Sequence, residues 1–97
     1  MDRLVFLDSI SGIKYPEMLV QFFDQFIALK HIIEDYGRIT VEPTDDTNSI
    51  SFMVNFSDPT VRDMALSNTA PIVVIYGRSI AVHTDIVSDN QLRFILK

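Results

Sequence analysis

Side chains that could act as an acid, a base or a metal ligand are few and scattered in this sequence of 97 residues. His31 and His83 have neither a second histidine nor a carboxylate at a recognised ligand spacing, which favours solvated or structural roles for both. Ser9, Ser11 and Ser51 have no triad partners in any family spacing, and no glycine-rich phosphate loop occurs. The sequence therefore predicts a protein that is not an enzyme and that uses no cofactor.

One acidic segment resembles part of a calcium loop. Residues 45–48 are Asp-Asp-Thr-Asn, but the glycine and the distal glutamate of such a loop are absent. A plain polar turn is the favoured interpretation, because Asp and Asn hydrogen-bond to their own backbone at turns. The chain has no cysteine, which excludes a thiolate zinc site and a disulfide. We expect no metal.

Length and composition indicate one globular domain, residues 1–97. The apolar share of 47% and the charged share of 22% are typical of folded proteins, and the chain is too short for two cores. The longest apolar run, 72–76, is far shorter than the roughly 20 residues of a membrane helix, and the start has no apolar signal region. These features predict a soluble protein of the nucleus or cytoplasm that does not contact membranes.

The charge distribution disfavours strong binding to nucleic acid. The formal net charge is −5 and the pI about 4.7, whereas proteins that follow a phosphate backbone gain affinity from clustered Lys and Arg. The eight basic residues include no adjacent pair. The sequence thus offers no basic run that could attract a phosphate backbone.

Hydrophobic periodicity predicts an α+β fold. Alternating residues at 3–10, 38–42 and 50–56 predict strands, the last two as antiparallel neighbours. A period of three to four predicts a helix over 16–36, and Asp58-Pro59 begins a second helix that reaches about residue 67. Two runs around Gly77-Arg78 complete a split βαβ arrangement, a four-stranded antiparallel sheet backed by two helices. The domain core is about 3–84, and residues 85–97 form a C-terminal extension that adds an edge strand or lies over the sheet.

Several short pieces of sequence, in this order, resemble the RNA recognition motif family. VFLDSI at 5–10 is similar to the first signature hexamer of that family, and SISFMVNFSD at 49–58 to its third strand. DYGRITV at 35–41, MALSN at 64–68 and YGRSIAV at 76–82 resemble the second strand, second helix and last strand. The resemblance covers about 3–84 and implies a ferredoxin-like sheet with an RNA-binding face. Ser51 and Met53 stand at the two stacking positions of the third strand, and only Phe6 remains aromatic.

The pleat of the predicted strands defines the same face independently. Alternate residues should face the helices: Val5, Leu7, Ile39, Val41, Ile50, Phe52, Val54, Phe56, Ile80 and Val82. The others should point away: Phe6, Asp8, Thr40, Glu42, Ser51, Met53, Asn55, Ala81 and His83. That outer face has one aromatic residue, two acids and no Lys or Arg. Because stacked bases contribute about 1–3 kcal/mol each, this face should bind RNA poorly.

The predicted first helix carries more apolar surface than one sheet can cover. Its apolar side chains span roughly 240° at 100° per residue, where a sheet-facing stripe needs about 100°. We therefore predict a homodimer or protein interface at six helix residues: Met18, Val20, Phe23, Ile27, Leu29 and Ile32. An alternative is a helix that ends near Phe26, with 27–34 as the second strand.

These observations favour a protein interaction module. A divergent RNA recognition motif without stacking residues is expected to scaffold or dimerise within an assembly that processes messenger or small RNA. Two alternatives remain open. One is a weak binder of single-stranded RNA that uses Phe6, Met53, His83 and the loops. The other is a small inhibitor or ligand-binding domain that shares only the fold.

Overall fold

A computed structural model describes residues 16–42 and 49–97. These residues form three helices and five strands, which confirms the α+β class. Their order is α1 (Pro16–Gln25), α2 (Ile27–Tyr36), β1 (Gly37–Glu42), β2 (Ile50–Phe56), α3 (Pro59–Ser67), β3 (Ile72–Ile75), β4 (Arg78–Ser88) and β5 (Gln91–Leu96). The predicted strand 3–10, with Val5, Phe6, Leu7 and Asp8, lies outside the described residues, as does the polar turn 43–48.

The five strands form one antiparallel sheet in the order β1-β2-β5-β4-β3. The predicted pairing of β1 with β2 is confirmed, but the predicted count of four strands is wrong. Residues 91–96 form neither an edge strand nor a cover over the sheet: they are the central strand. A two-residue turn returns the chain from β4 directly into β5, and alternate β5 residues are buried. The split βαβ arrangement is not confirmed. β2 pairs with β1 on one side and with β5 on the other, so neither side of β2 is left for a further strand.

The core lies between the helices and one face of the sheet. Ile50, Phe52, Val54 and Phe56 are all buried, as the pleat predicts. On β4 Val82 is buried, and Ile39 and Val41 of β1 and Ile80 of β4 pack against the core while partly exposed. The rings of Phe52 and Phe94 stack across the β2–β5 pair at 5.1 Å, and the ring of Phe22 meets Phe52 edge-on at 5.6 Å. This aromatic centre joins α1 to β2 and to the central strand β5.

The predicted single helix over 16–36 is broken at Phe26. This residue has φ −120° and ψ 64°, outside the helical region, and it separates α1 from α2. The alternative is right that the first helix ends near Phe26, since α1 stops at Gln25, but its strand at 27–34 is wrong, because those residues are helical. The break allows α1 to pack on β3 while α2 packs on β1 and α3. Two shorter helices thus turn two different apolar stripes to one core, and the wide arc calculated for one continuous helix is the sum of both.

The predicted helix after Asp58 is confirmed as α3. The Asp58 carboxylate accepts a hydrogen bond from the Val61 N–H at 3.0 Å, and Pro59 occupies the first turn. This N-cap satisfies a backbone donor that the helix itself cannot pair. Val61 and Ala65 are buried against the core, whereas Met64 is exposed.

Candidate protein-interaction surfaces

The apolar helix residues predicted as an interface do not form one exposed surface. Met18, Phe23 and Leu29 are buried in the core, so the expectation that they are left uncovered is wrong. Val20 and Ile32 are partly buried and pack against the same core. Ile27, 57% exposed, is the most accessible of the six. The physical reason is the break at Phe26, which gives each helix its own buried stripe. Partner binding through Ile27 stays a prediction.

Met53 and His83 both point to the sheet face opposite the helices. They do not form one site, because β5 runs between their strands and separates them by two strand spacings, roughly 10 Å. None of the described strands turns a Phe, Tyr or Trp side chain to this face. The expectation of no Lys or Arg here is wrong: Arg93 lies in the same cross-strand row as Met53, because β5 is central. Arg38 alternates onto this face as well.

Arg93 is engaged by an acidic residue two strands away. Its Nε donates to the Oε1 of Glu42 at 2.7 Å and its Nη2 to Oε2 at 3.0 Å, while the Ser51 hydroxyl donates to Oε1 at 3.1 Å. Hydrogen bonding from Arg93 lowers the pKa of Glu42 despite partial desolvation, and the same contact raises the pKa of Arg93. A bidentate pair of this kind ties β1 to β5 across β2. The Arg93 guanidinium is therefore already paired within the sheet.

The β3 edge of the sheet is capped by side chains of α1. The Gln25 amide accepts from the Val74 N–H at 2.9 Å and donates to the Val74 carbonyl, and the Gln21 amide oxygen accepts from the Tyr76 N–H at 2.7 Å. Gln21 and Gln25 are one turn apart and so share a helix face. Their amides take the place of a neighbouring strand. This cap escaped the sequence analysis because it depends on the packing of α1 beside β3.

The turn between β3 and β4 presents an exposed aromatic side chain. Tyr76 and Gly77 have φ values of 52° and 74°, as a two-residue type I′ hairpin requires. Positive φ suits Gly77 but is unusual for a bulky residue such as Tyr76. Tyr76 is 61% exposed, and Ile72 and Val74 on β3 are 58% and 47% exposed. These three residues define the hairpin patch.

The β1 edge at the other side of the sheet has no such cap among the described residues. The Phe56 N–H donates toward β5, to the Asn90 carbonyl at 2.8 Å. The backbone N–H and C=O groups of successive residues point to opposite sides of a strand. Every second residue of β2 before Phe56 therefore points these groups at β1, where they bond the backbones of Arg38, Thr40 and Glu42. The N–H and C=O groups of Ile39 and Val41 consequently point outward from the sheet.

Other features of the described region add no further site. A shallow depression of about 370 Å³ at the junction of α2 and β1 is open to solvent and is lined in part by Asp35, Arg38 and Asn55. Across 16–42 and 49–97, no group of three or more potential ligands is placed to hold a metal. None of the described helices has the length and apolar character needed to cross a membrane.

Comparison with known proteins supplies no relative. No family model matches the chain, and neither the search of curated proteins nor that of solved structures finds a significant match. The resemblance to the RNA recognition motif therefore rests on the sequence pieces alone.

Proposed function

We propose that this domain is a non-enzymatic protein-interaction module that binds its partner at the hairpin patch. The observation that carries the proposal is the exposure of Ile72, Val74 and Tyr76, every second residue along β3 and into the turn that follows it, at one edge of the sheet. Aromatic and aliphatic side chains of this kind are the usual anchors of protein interfaces. Solvent exposure of all three in the free chain leaves them available for a partner.

The patch is also held in place before any partner arrives. Gln21 and Gln25 fix the backbone of Val74 and Tyr76 from α1, and the opposite backbone edge of β3 pairs with β4. Ordering a loop on binding costs free energy, so a prearranged backbone favours affinity. The unusual backbone of Tyr76 fits this interpretation, since local strain is often retained where a side chain must be presented.

The setting proposed for this module is an RNA-processing assembly, and the support is the sequence resemblance alone. Direct RNA binding is the weaker candidate. The chain is acidic, the described strands present no Phe, Tyr or Trp on the face opposite the helices, and Arg93 on that face is paired with Glu42. The face opposite the helices thus offers no Phe, Tyr or Trp platform for bases among the described strands, and its Arg and Lys side chains are limited to Arg38 and the paired Arg93.

A matched pair of isoleucines tests the hairpin patch. Ile72 and Ile86 are both strand residues and both 58% exposed, but Ile86 lies outside the patch. Partners captured by the wild-type domain should be purified and titrated against each variant. We expect Ile72→Ser and Tyr76→Ser to weaken binding at least about tenfold, as anchor residues do, and Ile86→Ser to leave it unchanged.

Two results would contradict the proposal. One is equal loss of affinity in Ile72→Ser and Ile86→Ser, which would show that the patch has no special role. The other is micromolar affinity for mixed single-stranded RNA at low salt that Phe6→Ala abolishes, which would support RNA binding instead. Circular dichroism of each variant confirms that the fold is retained.

A further inference from the structure

The β1 edge carries outward backbone groups and a sequence that complements itself. Ile39 and Val41 present their N–H and C=O groups away from the sheet, and the side chains of Arg38, Thr40 and Glu42 lie on the face opposite the helices. An exposed strand edge is a template for pairing with another strand. From this edge we infer that β1 pairs antiparallel with β1 of a second copy of this chain, about a twofold axis at Thr40.

The backbone pattern fits this register. With Thr40 opposite its own copy, Ile39 lies opposite Val41 of the second copy, and both residues direct their N–H and C=O groups into the interface. They form hydrogen-bonded pairs, while Thr40 with Thr40 and Arg38 with Glu42 form the closer, non-hydrogen-bonded pairs. Twofold symmetry repeats every contact. The two five-stranded sheets join into one continuous sheet.

Charge complementarity selects the register. Opposite charges directly across an antiparallel pair are stabilising, and Arg38 has no ion pair with another described residue. Glu42 already accepts hydrogen bonds from Arg93 and Ser51, and a carboxylate with about four lone-pair sites has room for one more donor. A centre at Ile39 or at Val41 would satisfy the backbone equally but would leave Arg38 without Glu42 opposite.

The apolar pairs favour the same arrangement. Ile39 and Val41 are only partly buried in one copy because no described strand lies outside them. Across the twofold axis they would form β-branched pairs on the helix side of the sheet, and such pairs stabilise antiparallel strands. This contact uses the opposite edge of the sheet from the hairpin patch, so self-pairing does not depend on the proposed partner binding.

Single cysteines test the register, because the natural chain has no cysteine. Residues in a non-hydrogen-bonded pair have Cα atoms about 4.5 Å apart, within the range of a disulfide. Thr40→Cys should therefore form a covalent dimer under mild oxidation, at least about tenfold faster than Ser79→Cys, an exposed control on β4. Arg38→Cys and Glu42→Cys should cross-link when mixed but not singly.

A charge at the axis provides the second test. Thr40 is exposed, so Thr40→Lys should leave the monomer folded while placing two like charges opposite each other. We expect sedimentation at tens of micromolar to show a dimer for the wild type and for Ser79→Lys, with a dimer dissociation constant raised at least about tenfold in Thr40→Lys. Cross-linking of Thr40→Cys no faster than Ser79→Cys, or a wild type that stays monomeric, would overturn the inference. Neither result bears on binding at the hairpin patch.

Discussion

The outward backbone groups at the two edges of the sheet differ in their hydrogen bonding. At β3 the outward backbone of Val74 and Tyr76 is bonded by Gln21 and Gln25 of α1. At β1 the outward backbone of Ile39 and Val41 meets no partner among the described residues. Proteins usually blunt exposed edges because these recruit other strands. The difference indicates that strand addition is blocked at Val74 and Tyr76 of the β3 edge, whereas no described residue blocks it at Ile39 and Val41 of the β1 edge.

Side-chain chemistry follows the same division. The closed edge adjoins apolar side chains, with Ile72 and Val74 exposed on β3. An open edge with such residues would invite unspecific association, whereas a capped one can bind through side chains alone. The open edge instead carries Arg38, Thr40 and Glu42 on its exposed face, residues that permit pairing only in a defined register. The β3 edge thus attracts a partner through apolar side chains while its backbone is capped. The β1 edge attracts a strand through its backbone while its side chains limit the register.

The largest expected effect is a loss of folding stability, and it tests whether one core supports both edges of the sheet. Phe52 is fully buried in β2, so Phe52→Ala should cost about 3–5 kcal/mol, enough to unfold a small domain. Denaturant unfolding measures this, and Met53→Ala on the opposite face serves as the control, with a much smaller loss. Equal losses at Phe52 and Met53 would show that the assignment of the two sheet faces is wrong.

Removing the cap should make the β3 edge resemble an open edge. Gln25→Ala deletes both hydrogen bonds to Val74, and the exposed backbone then bonds to water, so the free energy of unfolding should fall by about 1–2 kcal/mol. Light scattering should also show association that increases with concentration. Gln25→Glu, which keeps the acceptor for the Val74 N–H but loses the donor, should give an intermediate result. Unchanged association in Gln25→Ala would mean that the cap does not protect this edge.

At the hairpin of the capped edge, one substitution should raise the stability of the fold and weaken partner binding. Asn tolerates positive φ better than other non-glycine residues, so Tyr76→Asn should stabilise the type I′ turn by about 0.5–1 kcal/mol. The same change should weaken partner binding at the hairpin patch. Thermal unfolding and partner titration on one sample would separate the two effects. Tighter or unchanged binding would remove Tyr76 from the proposed interface.

The smallest effect concerns the open edge and pH. Because the folded pKa of Glu42 is lowered, its pair with Arg93 contributes stability above the unfolded pKa, about 4.3 for glutamate, and loses it as the pH falls through the lower folded pKa. Glu42→Gln should flatten this part of the stability curve, measured by urea unfolding from pH 6 down to about pH 3. Glu17→Gln, on the exposed side of α1, is the matched control. An identical acid dependence in wild type and Glu42→Gln would show that the pair adds nothing.

Local pattern was sufficient to predict most elements of the fold. The alternation at 50–56 identified both the strand and its buried face, and Asp58-Pro59 identified the start of α3, because each signal lies within a few residues. The central place of β5 could not be predicted in this way. Its neighbours β2 and β4 are chosen by packing in three dimensions, and the sequence of 91–96 would suit an edge strand equally.

The candidate surfaces were harder to predict for a related reason. A single continuous helix through Phe26 would leave Phe23 and Leu29 uncovered, but a change of backbone angles at one residue buries both. The roles of Gln21 and Gln25 depend on a strand about fifty residues later in the chain. Nothing in a lone polar side chain indicates which distant backbone group it will meet.

Amide hydrogen exchange, measured residue by residue at several protein concentrations, tests the central contrast between the edges most directly. The Val74 and Tyr76 amides, bonded within one chain, should be protected equally at every concentration. Ile39 and Val41 should exchange rapidly in dilute solution and become protected at tens of micromolar as β1 pairs with its copy. Rapid exchange of Ile39 and Val41 at all concentrations, or protection of Val74 that appears only at high concentration, would contradict the account.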